Sequence, residues 1–182
     1  MRTPLLLLSL CLLALTVAAC EDAPTTTADQ RLGKMTVEQF RTDPGYSIWF
    51  DQGYDAYPGT DAAATARFDD KVAAIRSAFD ASRHQVIMVV KPSCSCQKTQ
   101  QTMPQVLKTL DAAGIPHANI EIWITDARMA GIDEIKSTHQ PAIIDAPTFI
   151  VVKDGVEKGR IQDTPESGTT VEEMLAPFFA AP

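Results

Sequence analysis

The chain is poor in the side chains that most often bind metals or act as nucleophiles, with three histidines and four cysteines among 182 residues. Two of those cysteines, Cys11 and Cys20, fall in the apolar N-terminal stretch. The rest cannot build a convincing structural zinc cage, which takes four ligands. Positive charge is also short: 16 Lys and Arg stand against 23 Asp and Glu, for a net charge of −7. Without a basic cluster, the chain is a poor partner for nucleic acid or for anionic lipid held through surface charge. No glycine-rich phosphate loop is present, and Asp51, Asp55, Asp69 and Asp70 read as surface charge rather than a calcium site. Long apolar runs are missing except for Leu5 to Leu15, which is too short to span a bilayer comfortably.

That run follows the positive Arg2 and precedes the small residues Thr16-Val17-Ala18-Ala19, the layout of a secretion signal over residues 1–19. Val17-Ala18-Ala19-Cys20 resembles the lipobox of bacterial lipoproteins. The resemblance implies that Cys20 becomes the lipidated first residue of the mature protein; an ordinary cleaved signal with a chance cysteine is the alternative. Each buried CH₂ of an acyl chain contributes about 0.8 kcal/mol, so several chains would anchor the protein firmly. The expected location is the bacterial cell envelope, with the domain in the periplasm or another extracytoplasmic space. Cleavage before Cys20 takes 19 residues from 182 and leaves 163, enough for one domain, with a charge of −8 once Arg2 is gone. Export also allows disulfides to persist.

Residues 20–40 read as a flexible tether, rich at first in Thr, Asp and Ala and without apolar periodicity, and 41–182 as the folded domain. The aromatic stretch Tyr46 to Tyr57 is expected to hold a short buried strand and a turn. Phe68, Val72, Ile75 and Phe79 form one stripe of a helix within Thr60 to Ser82. Gln85 to Val90 is a continuous apolar strand. Gln97 to Ala113 is a helix with Pro104 inside it and Gly114 closing it. Ile120, Ile122 and Ile124 alternate as a strand. Ala127 to Thr138 is expected to be a short helix carrying Met129, Ile132 and Ile135. Thr148 to Lys153 and Val156 to Gln162 make a hairpin around Asp154-Gly155, and Thr170-x-x-Glu173 caps a final helix. Such an order predicts an α/β domain, a central mixed sheet flanked by helices.

Cys94 and Cys96 lie where the central strand passes into a helix. A helix N-terminus stabilises negative charge, so it lowers thiol pKa and favours the thiolate, the reactive and metal-binding form. This position, together with Ala146-Pro147-Thr148 ahead of the hairpin, resembles the thioredoxin-like superfamily over roughly Ser47 to the end. The resemblance implies a thioredoxin-like fold, a cis Pro147, and a docking groove for a substrate chain formed by Ala146, Pro147 and Thr148. The family's Cys-x-x-Cys and its preceding tryptophan are absent; Ser93-Cys94-Ser95-Cys96 stands instead. Two registers stay open. Either Cys94 is the nucleophile and Cys96 resolves, or Pro104 matches the family's helix-bending proline, which makes Cys96 the nucleophile and puts Thr99 in place of the second cysteine. Helix geometry favours the latter.

The leading expectation is a thiol–disulfide oxidoreductase without a cofactor, acting on exported or membrane-bound thiol and disulfide proteins. A disulfide between residues two apart closes a small, strained ring, which predicts a more oxidising couple than that of thioredoxin. An alternative is a Cu(I)-binding assembly factor, similar to Sco-type proteins, using Cys94, Cys96 and a third ligand from His139 or Met103. A redox-inactive, membrane-anchored binding module is the third.

Overall fold

The computed structural model describes residues 31–92 and 97–182. Cys20, Cys94 and Cys96 therefore lie outside the described residues. The elements are β1 (Gly33–Met35), α1 (Val37–Thr42), a helical stretch formed by α2 (Ser47–Trp49) and a π-turn (Phe50–Tyr54), α3 (Ala62–Ala78), β2 (His84–Val90), α4 (Gln97–Ala113), β3 (Ile120–Ile124), α5 (Asp133–Lys136), β4 (Thr148–Lys153), β5 (Val156–Gln162) and α6 (Val171–Ala180). They build a mixed α/β structure around a five-stranded sheet of order β1-β3-β2-β4-β5. β2 and β3 are parallel; β1 runs against β3, and β4 runs against both β2 and β5.

Each face of the sheet buries one side of the alternating strands. Val86, Met88 and Val90 turn towards α1, α3, α4 and α6, meeting Phe40, Ile75, Leu107 and Leu175 among others. Ile87 and Val89 turn the other way, with Trp123, Ile150 and Val152, under a cover supplied by Met129, Ile132, Ile135 and Ile143. β2 is apolar on both faces for this reason, and it occupies the centre.

Three expectations need correction. Residues 46–57 are helical over Ser47–Tyr54, not a strand. Tyr46, Trp49, Phe50, Gly53, Tyr54 and Tyr57 recur every three or four residues, which puts them on one helical face. The rings themselves are core, as expected: Tyr46 and Trp49 are buried, and Tyr46 stacks on Phe40 with centroids 4.2 Å apart. Second, the fold takes in residues 33–40, which composition assigned to the tether. β1 pairs with β3, and Thr36 and Gln39 form a reciprocal capping box that starts α1. Third, the helix expected over 127–138 shrinks to one turn at Asp133–Lys136. The Asp126 carboxylate accepts from the N–H groups of Arg128 and Ala130, at 2.8 and 3.0 Å, and Met129 and Gly131 take positive φ, so a helix cannot start there. Met129, Ile132 and Ile135 are nevertheless buried.

Candidate active site

The region of interest is the C-terminal end of β2. The N–H of Thr125, just past β3, donates to the carbonyl of Val90 at 3.0 Å. Lys91 and Pro92 follow, half-buried, and α4 begins at Gln97. The connection between them carries both thiols in sequence.

The proline turn ahead of β4 lies at the same end, because Thr148 is paired with Val89. The Ala146–Pro147 peptide bond is cis, as the family resemblance implies. Asp145 shapes this turn: its carboxylate accepts from the Ala146 N–H at 2.8 Å and its carbonyl from the Thr148 hydroxyl at 2.7 Å. The Pro147 carbonyl accepts from the Asp163 N–H at 2.8 Å, which ties the turn to the loop leaving β5. Ala146, Pro147 and Thr148 are all buried. Two polar bonds thus brace the turn internally and a backbone bond ties it to the loop after β5, while the Val89–Thr148 pair sets it at the end of β2.

α4 follows in the chain and packs against β2, α3 and α6. Thr99, Thr102, Met103 and Pro104 are buried on its inner side. Pro104 cannot donate to the helix ladder. Its ring fits against Gly53 of the π-turn, where an added Cβ would come within 2.9 Å of the Pro104 Cβ and Cγ. Gly53 is therefore the residue that lets the aromatic helical stretch close on α4.

Of the third ligands considered for copper, Met103 is fully buried in the core cluster that also holds Val90, Val106 and Leu107. His139 sits beside the hairpin tip, its Nδ1 3.6 Å from Glu157. Glu157 is paired with Val152, four residues along β4 from Thr148, or about 13 Å of strand. Burial pushes the His139 imidazole below its ordinary value, outweighing the Glu157 carboxylate, and the Arg160 guanidinium works in the same direction as burial. Among the described residues no group of three or more His, Cys, Asp or Glu side chains is arranged to hold a metal.

Two polar clusters were not anticipated from sequence. Glu172 on α6 is buried, and it accepts from the Tyr57 phenol and, at 2.6 Å, from the Thr170 hydroxyl. Burial raises the Tyr57 pKa, and the Glu172 carboxylate raises it further. Away from the site, His117 bridges Glu38 of α1, at 2.6 Å, and Asp111 of α4, at 3.0 Å. Asp111 also receives the Tyr54 phenol at 2.5 Å and Arg41 at 3.1 Å. Only the spacing of aromatic residues hinted at these clusters, since both depend on long-range contacts.

No protein-family model matches the chain, and no curated protein matches it.

Proposed function

We propose that this protein is a membrane-tethered thiol–disulfide oxidoreductase of thioredoxin-like fold, acting on exported protein partners through Cys94 and Cys96. The observation that supports the proposal is the cis Pro147 turn at the C-terminal end of β2, set there by the Val89–Thr148 pair, together with a sequence that carries both thiols between that strand and α4. Cys96 immediately precedes α4, a helix of 17 residues, whose leading N–H groups favour a thiolate there.

In the reductive direction, the Cys96 thiolate attacks one sulfur of a partner disulfide. A mixed disulfide forms and the partner's other sulfur leaves as a thiolate, which takes up a proton. Cys94, as thiolate, then attacks the Cys96 sulfur and releases the partner's second thiolate. The partner has gained two electrons, and Cys94 and Cys96 are left as a disulfide. The reverse sequence oxidises a partner dithiol. Export by the N-terminal signal and a lipid on Cys20 would confine both directions to partners in the cell envelope.

Replacing either cysteine separates the roles. Cys96→Ser should abolish insulin-disulfide turnover, while Cys94→Ser should accumulate mixed disulfides with the partner. Full turnover by both single variants would refute the proposal.

A further inference from the structure

Tyr57 stands at the junction of two cavities. One, of about 450 Å³, opens between the segment 53–59 and α4. The other, of about 380 Å³, opens between α4 and the loop 164–170. Tyr57, Gln101 and Gln105 line both, so the two form one groove crossing α4. That loop continues directly from Asp163, whose N–H holds the Pro147 carbonyl, so one end of the groove approaches the cis-proline turn. Gln101 lies about one helical turn, or about 6 Å, from the start of α4.

The floor of the groove is held in place. The Tyr57 phenol is engaged by buried Glu172, and the Tyr57 ring packs edge-on against Phe68 with centroids 5.6 Å apart. The lining is polar but almost uncharged, Glu166 being its one ionisable carboxylate, with no lysine or arginine. The amides of Gln101 and Gln105 have no hydrogen-bond partner among the described residues. A primary amide offers both donors and an acceptor, so it can meet the N–H and C=O of an extended backbone together. A charged ligand would find no counter-ion cluster here, whereas an extended neutral chain finds donors and acceptors along its length.

We infer that this groove binds an uncharged, extended segment of the partner polypeptide, with Gln101 and Gln105 pairing with its backbone. Such binding selects which part of a partner is presented at the Pro147 end. What happens to the partner there rests on the redox function proposed above; the binding itself does not.

The test is fluorescence anisotropy of the purified full chain with a short labelled peptide of Gln, Ser, Thr and Ala that contains no cysteine. Matched peptides rich in Glu or Lys serve for comparison. The neutral peptide should bind best. Gln101→Ala with Gln105→Ala should weaken it about tenfold or more. Gln101→Glu with Gln105→Glu, close in size to the native side chains, should weaken the neutral peptide and shift preference towards the Lys-rich one. Absence of binding by the unaltered chain, tighter binding of a charged peptide to it, or indifference to both double variants would overturn the inference. Turnover of glutathione disulfide, too small to fill the groove, is followed on the same samples. Loss of that turnover with peptide binding intact would sink the redox function and leave the groove standing; turnover without peptide binding would do the reverse.

Discussion

Gly53 has a neighbour rather than a side chain, and that neighbour is Pro104. A methyl group at position 53 would press on the proline ring at 2.9 Å and approach the Gln100 carbonyl at 3.4 Å. Neither the ring nor the helix backbone can swing aside as a flexible side chain would. Gly53→Ala should therefore destabilise the fold by about 1–3 kcal/mol, the usual cost of overpacking, seen as a lower urea midpoint. An unchanged midpoint would mean that the π-turn and α4 are not in the contact described. Individual residues were unevenly legible. Pro147 and Pro104 stand out in the sequence because a proline constrains its own backbone. Gly53 and Glu172 do not, because the surroundings that give each its role come from elements far away in the chain.

Elements were most legible where one physical signal acted alone. The apolar run of β2, the stripe of α3 and the turn-flanked hairpin of β4 and β5 stand close to where their patterns put them. The helix over Gln97–Ala113 does too, despite its internal proline. Misreading arose where two signals competed. The aromatic content of residues 46–57 favoured a strand, but their three-and-four spacing favoured a helix, and packing against Phe40 and α4 decided for the helix. Thr36 and Gln39 carry a capping signal as plain as that of Thr170 and Glu173, but the three-residue β1 before it is too short to show a strand pattern.

The same N-terminal element supplies a pH-dependent contact. Partial burial alone would lower the His117 pKa, but its bonds to Glu38 and Asp111 outweigh that and raise it above the ordinary value of 6.5. A raised folded-state pKa gives stability that is fully present below about 6.5 and is lost as pH rises through the elevated value. His117→Gln should accordingly cost more stability near about pH 5.5 than near about pH 8.5, measured by urea unfolding at both. The site is partly exposed, so salt should reduce the difference. An equal cost at both pH values would show that the bridge does not depend on the imidazolium.

At the scale of the whole molecule, the sheet separates two cores, and the candidate site lies at one end of it, where the proline turn stands beside β2 and the chain goes on to α4. The layered architecture was legible because it follows from the order and apolarity of the strands. The proposed chemistry rests in the sequence on two thiols ahead of a helix, because sequence spacing does not show how two sulfur atoms face each other. Tethering belongs to this scale as well. Among the described residues no helix is long and apolar enough to cross a membrane. The proposed anchor, a lipid on Cys20, rests on the lipobox-like Val17-Ala18-Ala19-Cys20. Cys20→Ser should move the protein from the membrane fraction to the soluble fraction; retention in the membrane would count against lipidation.

The proposed function requires that Cys94 and Cys96 exchange electrons as a pair. Thiol alkylation with mass readout, across a series of glutathione redox buffers, tests it most directly. Both cysteines should change state together in a single two-electron step, with a midpoint more oxidising than that of thioredoxin. Cysteines that stay reduced throughout, or that titrate separately as glutathione adducts, would contradict it.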